Sequence, residues 1–512
     1  MERRQTSGRS PCESAIDVHR ERVLDETAFD LYSIMAGKET NEVNRIYRRE
    51  SAVLFALLFA VLVGCGKGES PQTLPSPQKE ADVQEEAGTA GQDVAEGAVQ
   101  GAEEQKTENS DEEQAETGGN SWTVQGSGSI SAGDTLSGAA VLTAEQQEPV
   151  LAFMDAYYQS MAYLQLQDLS GLFTEDEEHA RFRAQVDGTS WTAVTDNSTQ
   201  EEMHRAVFEM ILGIRQASGL DLRLLSYDYE LEVQNIEEQA DGCVQIEAVE
   251  YADMRFSHTP NTNSQVTGVW HSFVIKETDG QWRLTHHAAY DSAYFSFIRW
   301  ENSATGRSTG GTSAGEFAAM AEERIQNARE QIESREAAAD GRTGAAAADH
   351  AYDREAAAAY AREWAGERNP QWGVYDGAGG NCMNYVSQCL YASGIPMDQS
   401  GDAQWYWYSD SSRAPAWTGV DSFRDYVMNN SGYGLCAQTD VPWNSGDIGD
   451  VILMSTAGNY HHAVIITQVV QDESSGTVDY LICSNTGNYR DFPVSAYVYA
   501  EQELVRIAGW NG

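Results

Sequence analysis

The cysteine in GGNCMNYVSQCLYASGIPM, residues 379–397, stands directly after Gly-Gly-Asn at the start of a helical pattern. A thiolate in such a place attacks a carbonyl carbon, provided a base takes the thiol proton and a third group orients the base. The chain supplies candidates for all three roles. Cys382 is the candidate nucleophile; the adjacent His461 and His462 open HHAVIITQVV, and Asn485 closes VDYLICSN. That set points to acyl transfer from an amide through an acyl-enzyme. Each residue also has a plainer reading. A buried free cysteine is a small inert apolar group, and an asparagine after a strand is an ordinary turn residue.

The elements that must position these groups follow from periodicity. Tyr385, Val386, Cys389 and Leu390 recur at helical spacing after Cys382, and Gly394 ends the run. Asn381 is the expected N-cap, and the backbone N–H groups beside it the expected oxyanion site. Those N–H groups and the helix dipole predict a lowered thiol pKa. Gly379 and Gly380 let a substrate backbone approach closely. Cys389 lies two turns further along the same face, about 10 Å of rise, too far for a disulfide to Cys382. It reads as core. Gln388 falls on the helix interior, where a packing or hydrogen-bonding role is expected. GDIGDVILMS, HHAVIITQVV and VDYLICSN read as three consecutive strands, with SSG between the last two. Register decides whether the histidines and Asn485 meet, and the sequence leaves it open. DREAAAAYAREWAGERN is a predicted helix, with Asp353 as N-cap and Ala359, Tyr360 and Trp364 toward a core.

The ordered blocks YDREAAAAYAREWA, NPQW, GGNCMNYVSQCLYASGIPM, AWTGVDSFRDYV, GDVILM, HHAVIIT and SNTGNYRDFPVS closely resemble a bacterial amidase domain of the papain-like cysteine hydrolases, related to CHAP amidases and cell-wall endopeptidases. The resemblance covers roughly residues 350–505. It implies a fold of N-terminal helices plus an antiparallel sheet, Cys382 as nucleophile, His462 as base with His461 as the alternative, and Asn485 as the orienting residue. The sequence shows no metal site, and no cofactor is expected. Two positions depart from the family pattern. Asn381 stands where the family has Asp, and Met383 where it has a small polar residue.

The rest of the chain sets the context. The net charge is -46 at pH 7, which excludes a nucleic-acid partner that depends on a basic footprint. From Gly66 to Asn120 there are 14 Asp/Glu against 3 Lys, with Gly, Ala and Gln abundant. That composition predicts a disordered acidic tether over 66–141. Before it, RIYRRE leads into SAVLFALLFAVLVGCGKG. A basic flank before an apolar run of about 13 residues is a secretory signal pattern, too short to span a bilayer comfortably. Leu62-Val63-Gly64-Cys65 resembles a lipobox, with Cys65 as the lipidation site, and Met35 is a plausible start for a leader of this kind. Residues 1–65 are therefore read as leader and signal peptide. The expected location is the outer face of a bacterial membrane, held by a lipid anchor. The cysteines show no CxxC pair and no zinc spacing.

Residues 142–298 read as an α+β domain. Thr143 is a helix N-cap, EEMHRAVFEMILGIRQAS a second helix, and three or four strands follow, with Asp279-Gly280 turning the last hairpin. The order resembles the cone-shaped fold of the nuclear transport factor and ketosteroid isomerase type. His286 and His287 are expected on opposite faces of the last strand, one toward the core and one toward solvent, and Trp270 and Trp282 in the core. Residues 299–349 read as a linker. Its solvated helix carries a thin stripe of Phe317, Met320, Ala321, Ile325 and Ile332, suited to a spacer or to packing on a neighbour. Overall the sequence predicts an α+β chain in which a cone-like domain precedes a cysteine amidase domain at 350–512. The expected function is a surface-anchored amidase or peptidase acting on peptidoglycan peptides. The alternatives are a non-catalytic surface binding protein on a degenerate amidase fold, and an amidase for secreted proteins or small amides.

Overall fold

In the computed structural model, residues 122–512 are described apart from 134–135, 137–140, 175–180, 187–188, 195–199, 296, 303–306, 311–315, 339–346, 377–379, 457, 472–475 and 500. Asn120–Gly512 forms one compact unit. The leader, the lipidation motif and most of the acidic tether lie outside the described residues. The end of the expected tether does not: β1 (Gln125–Ala132) pairs in parallel with β4. Its QGSGSISA sequence carries no apolar alternation, and small residues are what the site requires. A Cβ on Gly126 would lie 2.2 Å from the Tyr227 ring, and one on Gly128 2.0 Å from that of Tyr229. The strand lies under two tyrosine rings rather than burying side chains of its own.

The first half has the two predicted helices and the four strands after them, and adds a hairpin between the helices that the sequence reading does not include. It contains α1 (Ala144–Tyr163), β2 (Arg181–Val186), β3 (Thr189–Val194), α2 (Gln200–Ala217), β4 (Leu224–Glu238), β5 (Val244–Phe256), β6 (Ser264–Thr278) and β7 (Gln281–Ala289). Thr143 and Gln146 form a reciprocal capping box on α1. Asp279 and Gly280, with φ of 55° and 77°, make the β6–β7 turn between Thr278 and Gln281. The expected linker is structured. Within it β8 (Arg299–Asn302) pairs with β3 and with β9 (Arg307–Gly310), and α3 (Phe317–Ala338) packs on α2. Phe317, Ala321 and Ile325 of the thin stripe are buried, so the stripe serves packing and not a spacer.

The second half contains α4 (Arg354–Trp364), α5 (Cys382–Ala392), β10 (Trp407–Ser409), β11 (Ser412–Arg413), α6 (Pro415–Thr418), α7 (Val420–Asn429), β12 (Gly434–Gln438), β13 (Val451–Thr456), β14 (Asn459–Gln471), β15 (Val478–Ser484), β16 (Tyr489–Pro493) and β17 (Glu501–Asn511). The halves share one 11-stranded sheet of order β1-β4-β5-β6-β16-β15-β14-β13-β17-β12, with β7 also on β6. The junction is the pairing of β16 with β6. The second half is therefore joined to the first through this strand pair.

The central strands read as unbroken apolar runs because both of their faces are covered. Along β14, Ala463 and Ile465 pack in one core with α4, α5 and α7, while Val464 and Ile466 pack in the other with the first half. Asp353 caps α4 by accepting from the Ala356 N–H. The buried face of α4 is Ala357, Ala358 and Ala361; Ala359, expected in the core, is exposed because the helix is turned about one position from the sequence reading. Cys389 and Trp405 are fully buried in the same core.

Candidate functional site

Two arginine anchors fix α4, the helix against which α5 packs. Arg354 reaches the fully buried Asp450 at 2.9 Å and the carbonyls of Ile448 and Ile507, tying α4 to β13 and β17. Arg362 holds Asp491 through Nε and donates to the Thr467 carbonyl, tying α4 to β14 and β16. The Tyr-Asp-Arg block is thus a cap and a staple. The glycine before α5 is required by its backbone: Gly380 has φ +114°.

Asn381 precedes α5, but its side chain does not cap the helix. It has φ −105° and ψ 0°, and its amide is engaged elsewhere. Oδ1 accepts from the Tyr375 N–H at 3.2 Å and from Asn384 Nδ2 at 2.9 Å. Nδ2 donates to Asn485 Oδ1 at 2.7 Å. The expected cap is therefore a buried polar bridge, and its amide is not free to serve an oxyanion. Its backbone N–H donates to Thr486 Oγ1 at 2.7 Å. Thr486 adopts φ +72°, an outlier for a β-branched residue, held by the bonds around it.

Cys382 is 5% exposed. Its sulfur seats against β14 on both sides of His462, 3.9 Å from the His461 carbonyl oxygen and within reach of the Ala463 N–H. Burial pushes the thiol up to about 11, against the downward pull of the Ala463, Met383 and Cys382 N–H groups. The expected lowering at the helix start is present but is outweighed by loss of water. His462 is also buried, and burial, with a smaller contribution from His461, lowers its pKa to about 3. Both groups rest neutral, but among the described residues no hydrogen bond joins them: the Cys382 sulfur touches the backbone of β14, while the His462 ring lies against Tyr497 and Tyr499. Among the described residues the ring of His462 makes its hydrogen bond through Nε2 to the Tyr497 hydroxyl at 3.0 Å, and it stacks on Tyr499.

The adjacent histidines are separated by an irregularity in the β13–β14 ladder. Met454 pairs with His462 and Ser455 with Tyr460, which leaves His461 as the extra residue of a bulge. His461 is exposed, with Nδ1 2.8 Å from the Asn459 carbonyl. The bulge lets two consecutive residues flank Tyr499.

The hydrogen bonds of the Asn485 amide run to Asn381 and the end of α4 rather than to the His462 ring. Besides accepting from Asn381, Asn485 donates through Nδ2 to the carbonyls of Trp364 and Ala365 at 2.9 Å each, closing the end of α4. The group on His462 is Tyr497, which sequence reading missed. Nothing in FPVSAYVYA marks it, because the contact depends on the short 3-10 turn Val494–Ala496 that follows β16. Gln388 has the expected hydrogen-bonding role, accepting from the Tyr360 hydroxyl. His286 and His287 are both buried rather than divided between core and solvent, because both faces of β7 are covered. His271 Nδ1 lies 2.9 Å from His287 Nε2.

A family model described as "Putative amidase domain" matches residues 351–507. The Bacillus subtilis (strain 168) protein described as "Uncharacterized protein YhbB" is 34% identical over 118 residues, 22% of this chain and 37% of that protein. The chain thus spans little more than a third of that relative's length. The similarity to an amidase domain is thus confined to residues 351–507.

Proposed function

We propose, from the amidase-domain match and the geometry around Cys382, that this domain hydrolyses amides by a cysteine mechanism, with Cys382 as nucleophile and His462 as base. The observation that carries it is the seat of the Cys382 sulfur at the start of α5, against the backbone on either side of His462. In the tautomer whose Nε2–H donates to the Tyr497 oxygen, Nδ1 is the acceptor that a base needs. The thiol proton passes to that nitrogen as sulfur bonds to the carbonyl carbon. Backbone N–H groups at the start of α5 hold the oxyanion. The C–N bond then breaks, the imidazolium gives its proton to the leaving amine, and water releases the acid by the reverse route. With both groups neutral at rest, this route couples attack to proton transfer and requires the His462 ring to come within reach of the sulfur.

The substrate we propose is the peptide of peptidoglycan, with Cys65 lipidated and the acidic tether spanning the distance to the wall. Support comes from the lipobox-like sequence and the tether composition. The test is incubation of purified peptidoglycan with the full chain and with Cys382→Ala, followed by mass spectrometry of the soluble fragments. Fragments that require Cys382 are the expected result, and their masses name the bond. The absence of such fragments, with both proteins folded, overturns the wall-hydrolase reading. One observation favours a second reading, a binding protein on this fold: the Asn381–Asn485 pair is neutral where the resembled family has an Asp before the cysteine. Saturable peptidoglycan binding without fragments is its signature.

A further inference from the structure

The first half encloses a cavity that the amidase chemistry does not use. It has about 50 Å³ of free space, enough for a handful of non-hydrogen atoms. Phe153, Met154, Ile211 and Val269 supply an apolar wall, and Tyr489 and Tyr497 close it from the second half. Arg215 of α2 lines it and is 4% exposed. Its Nε and Nη1 are buried and have no hydrogen-bond partner among the described residues. Its guanidinium carbon lies 5.7 Å from the Phe256 ring centroid, a contact that does not use the N–H groups.

A guanidinium cannot shed its charge, and burying it unpaired costs several kcal/mol, so such a group calls for an anion. The nearby carboxylates are committed. Glu250 accepts from the Tyr158 hydroxyl and contacts His271 Nε2 at 3.0 Å. Asp291 accepts from the Ala293 N–H and the Tyr489 hydroxyl. Both acids line the cavity and disfavour a dianion. A monoanion with an apolar body suits both walls.

We propose that this cavity binds a small organic monocarboxylate, its head on the Arg215 guanidinium and its body against Phe153, Met154 and Ile211. The proposal does not rest on the amidase reading, although Tyr497 both lines the cavity and bonds His462, and the site needs both halves of the chain. The test is calorimetric titration of the full chain with acetate, butyrate and inorganic phosphate, paired with thermal unfolding. Butyrate binds saturably and raises the unfolding temperature, and affinity increases roughly fourfold per methylene from acetate. Arg215→Met, which keeps the volume and removes the charge, weakens butyrate by at least about tenfold. Ala289→Leu fills the cavity with Arg215 intact, and it carries the test if Arg215→Met does not fold; weaker butyrate binding is again expected. The proposal is overturned by no saturable carboxylate binding, by butyrate affinity unchanged in the folded variant, or by phosphate binding more tightly than butyrate.

Discussion

The ionisation of Cys382 is the sharpest consequence of the site geometry. Two effects compete at the sulfur: N–H groups at the start of α5 and on β14 favour the thiolate, and loss of water disfavours it. Water wins, moving the thiol from 9.0 to about 11. At pH 8 a thiol of pKa 9 is about 10% thiolate, and one of pKa 11 about 0.1%, roughly a hundredfold difference. The perturbation is pH and the assay is alkylation of the full chain by iodoacetamide, followed by mass spectrometry of the Cys382 peptide. Burial slows the reagent by a factor that does not depend on pH, so the slope carries the information and not the absolute rate. The rate constant should rise about tenfold per pH unit from pH 6 to pH 9, with no plateau. Cys436, half-buried at the sheet edge, serves as an internal reference. A rate already level between pH 6 and pH 8 would refute the reasoning, because only a preformed thiolate–imidazolium pair gives that plateau.

Three further outcomes follow from contacts in the site. Tyr497→Phe leaves the buried His462 Nε2 without its hydroxyl partner; it should cost about 1–3 kcal/mol in urea unfolding and lower kcat more than it raises KM. Asn381→Asp sets a carboxylate oxygen against Asn485 Oδ1 in place of an N–H donor at 2.7 Å; about 2–4 kcal/mol of destabilisation is expected, and adding Asn485→His should recover more than half of it, because an imidazole N–H can face the new carboxylate. His462 and His204, both lowered to about 3 by burial, stay neutral in the fold and protonate once unfolded. Their stability contribution is complete above pH 6.5 and is lost as pH falls from 6.5 toward 3, at about 1.4 kcal/mol per pH unit each; urea midpoints of wild type and His462→Asn between pH 4 and 7 should diverge by that slope.

Much of the fold is legible in local chemistry. The Thr143 box, the Asp279-Gly280 turn, the Asp353 cap and the helix after Cys382 are set by residues within a few positions of one another, and each forms as the sequence predicts. Composition also marks the ends of the amidase-like half, and the helix start itself aims N–H groups at the Cys382 sulfur. What local sequence could not carry is whatever depends on partners far along the chain. The strand at 125–132 exists because two tyrosines about a hundred residues later lie over its glycines. Asn381 prefers Asn485 to its own helix, because burial makes a cross-chain amide bridge worth more than a cap that water could replace. The bulge at His461 and the turn before Tyr497 determine which group holds the imidazole. The thiol pKa is decided the same way. The dipole is a property of the helix and can be read from sequence, whereas desolvation is a property of everything packed around it, and that exists only in the tertiary structure.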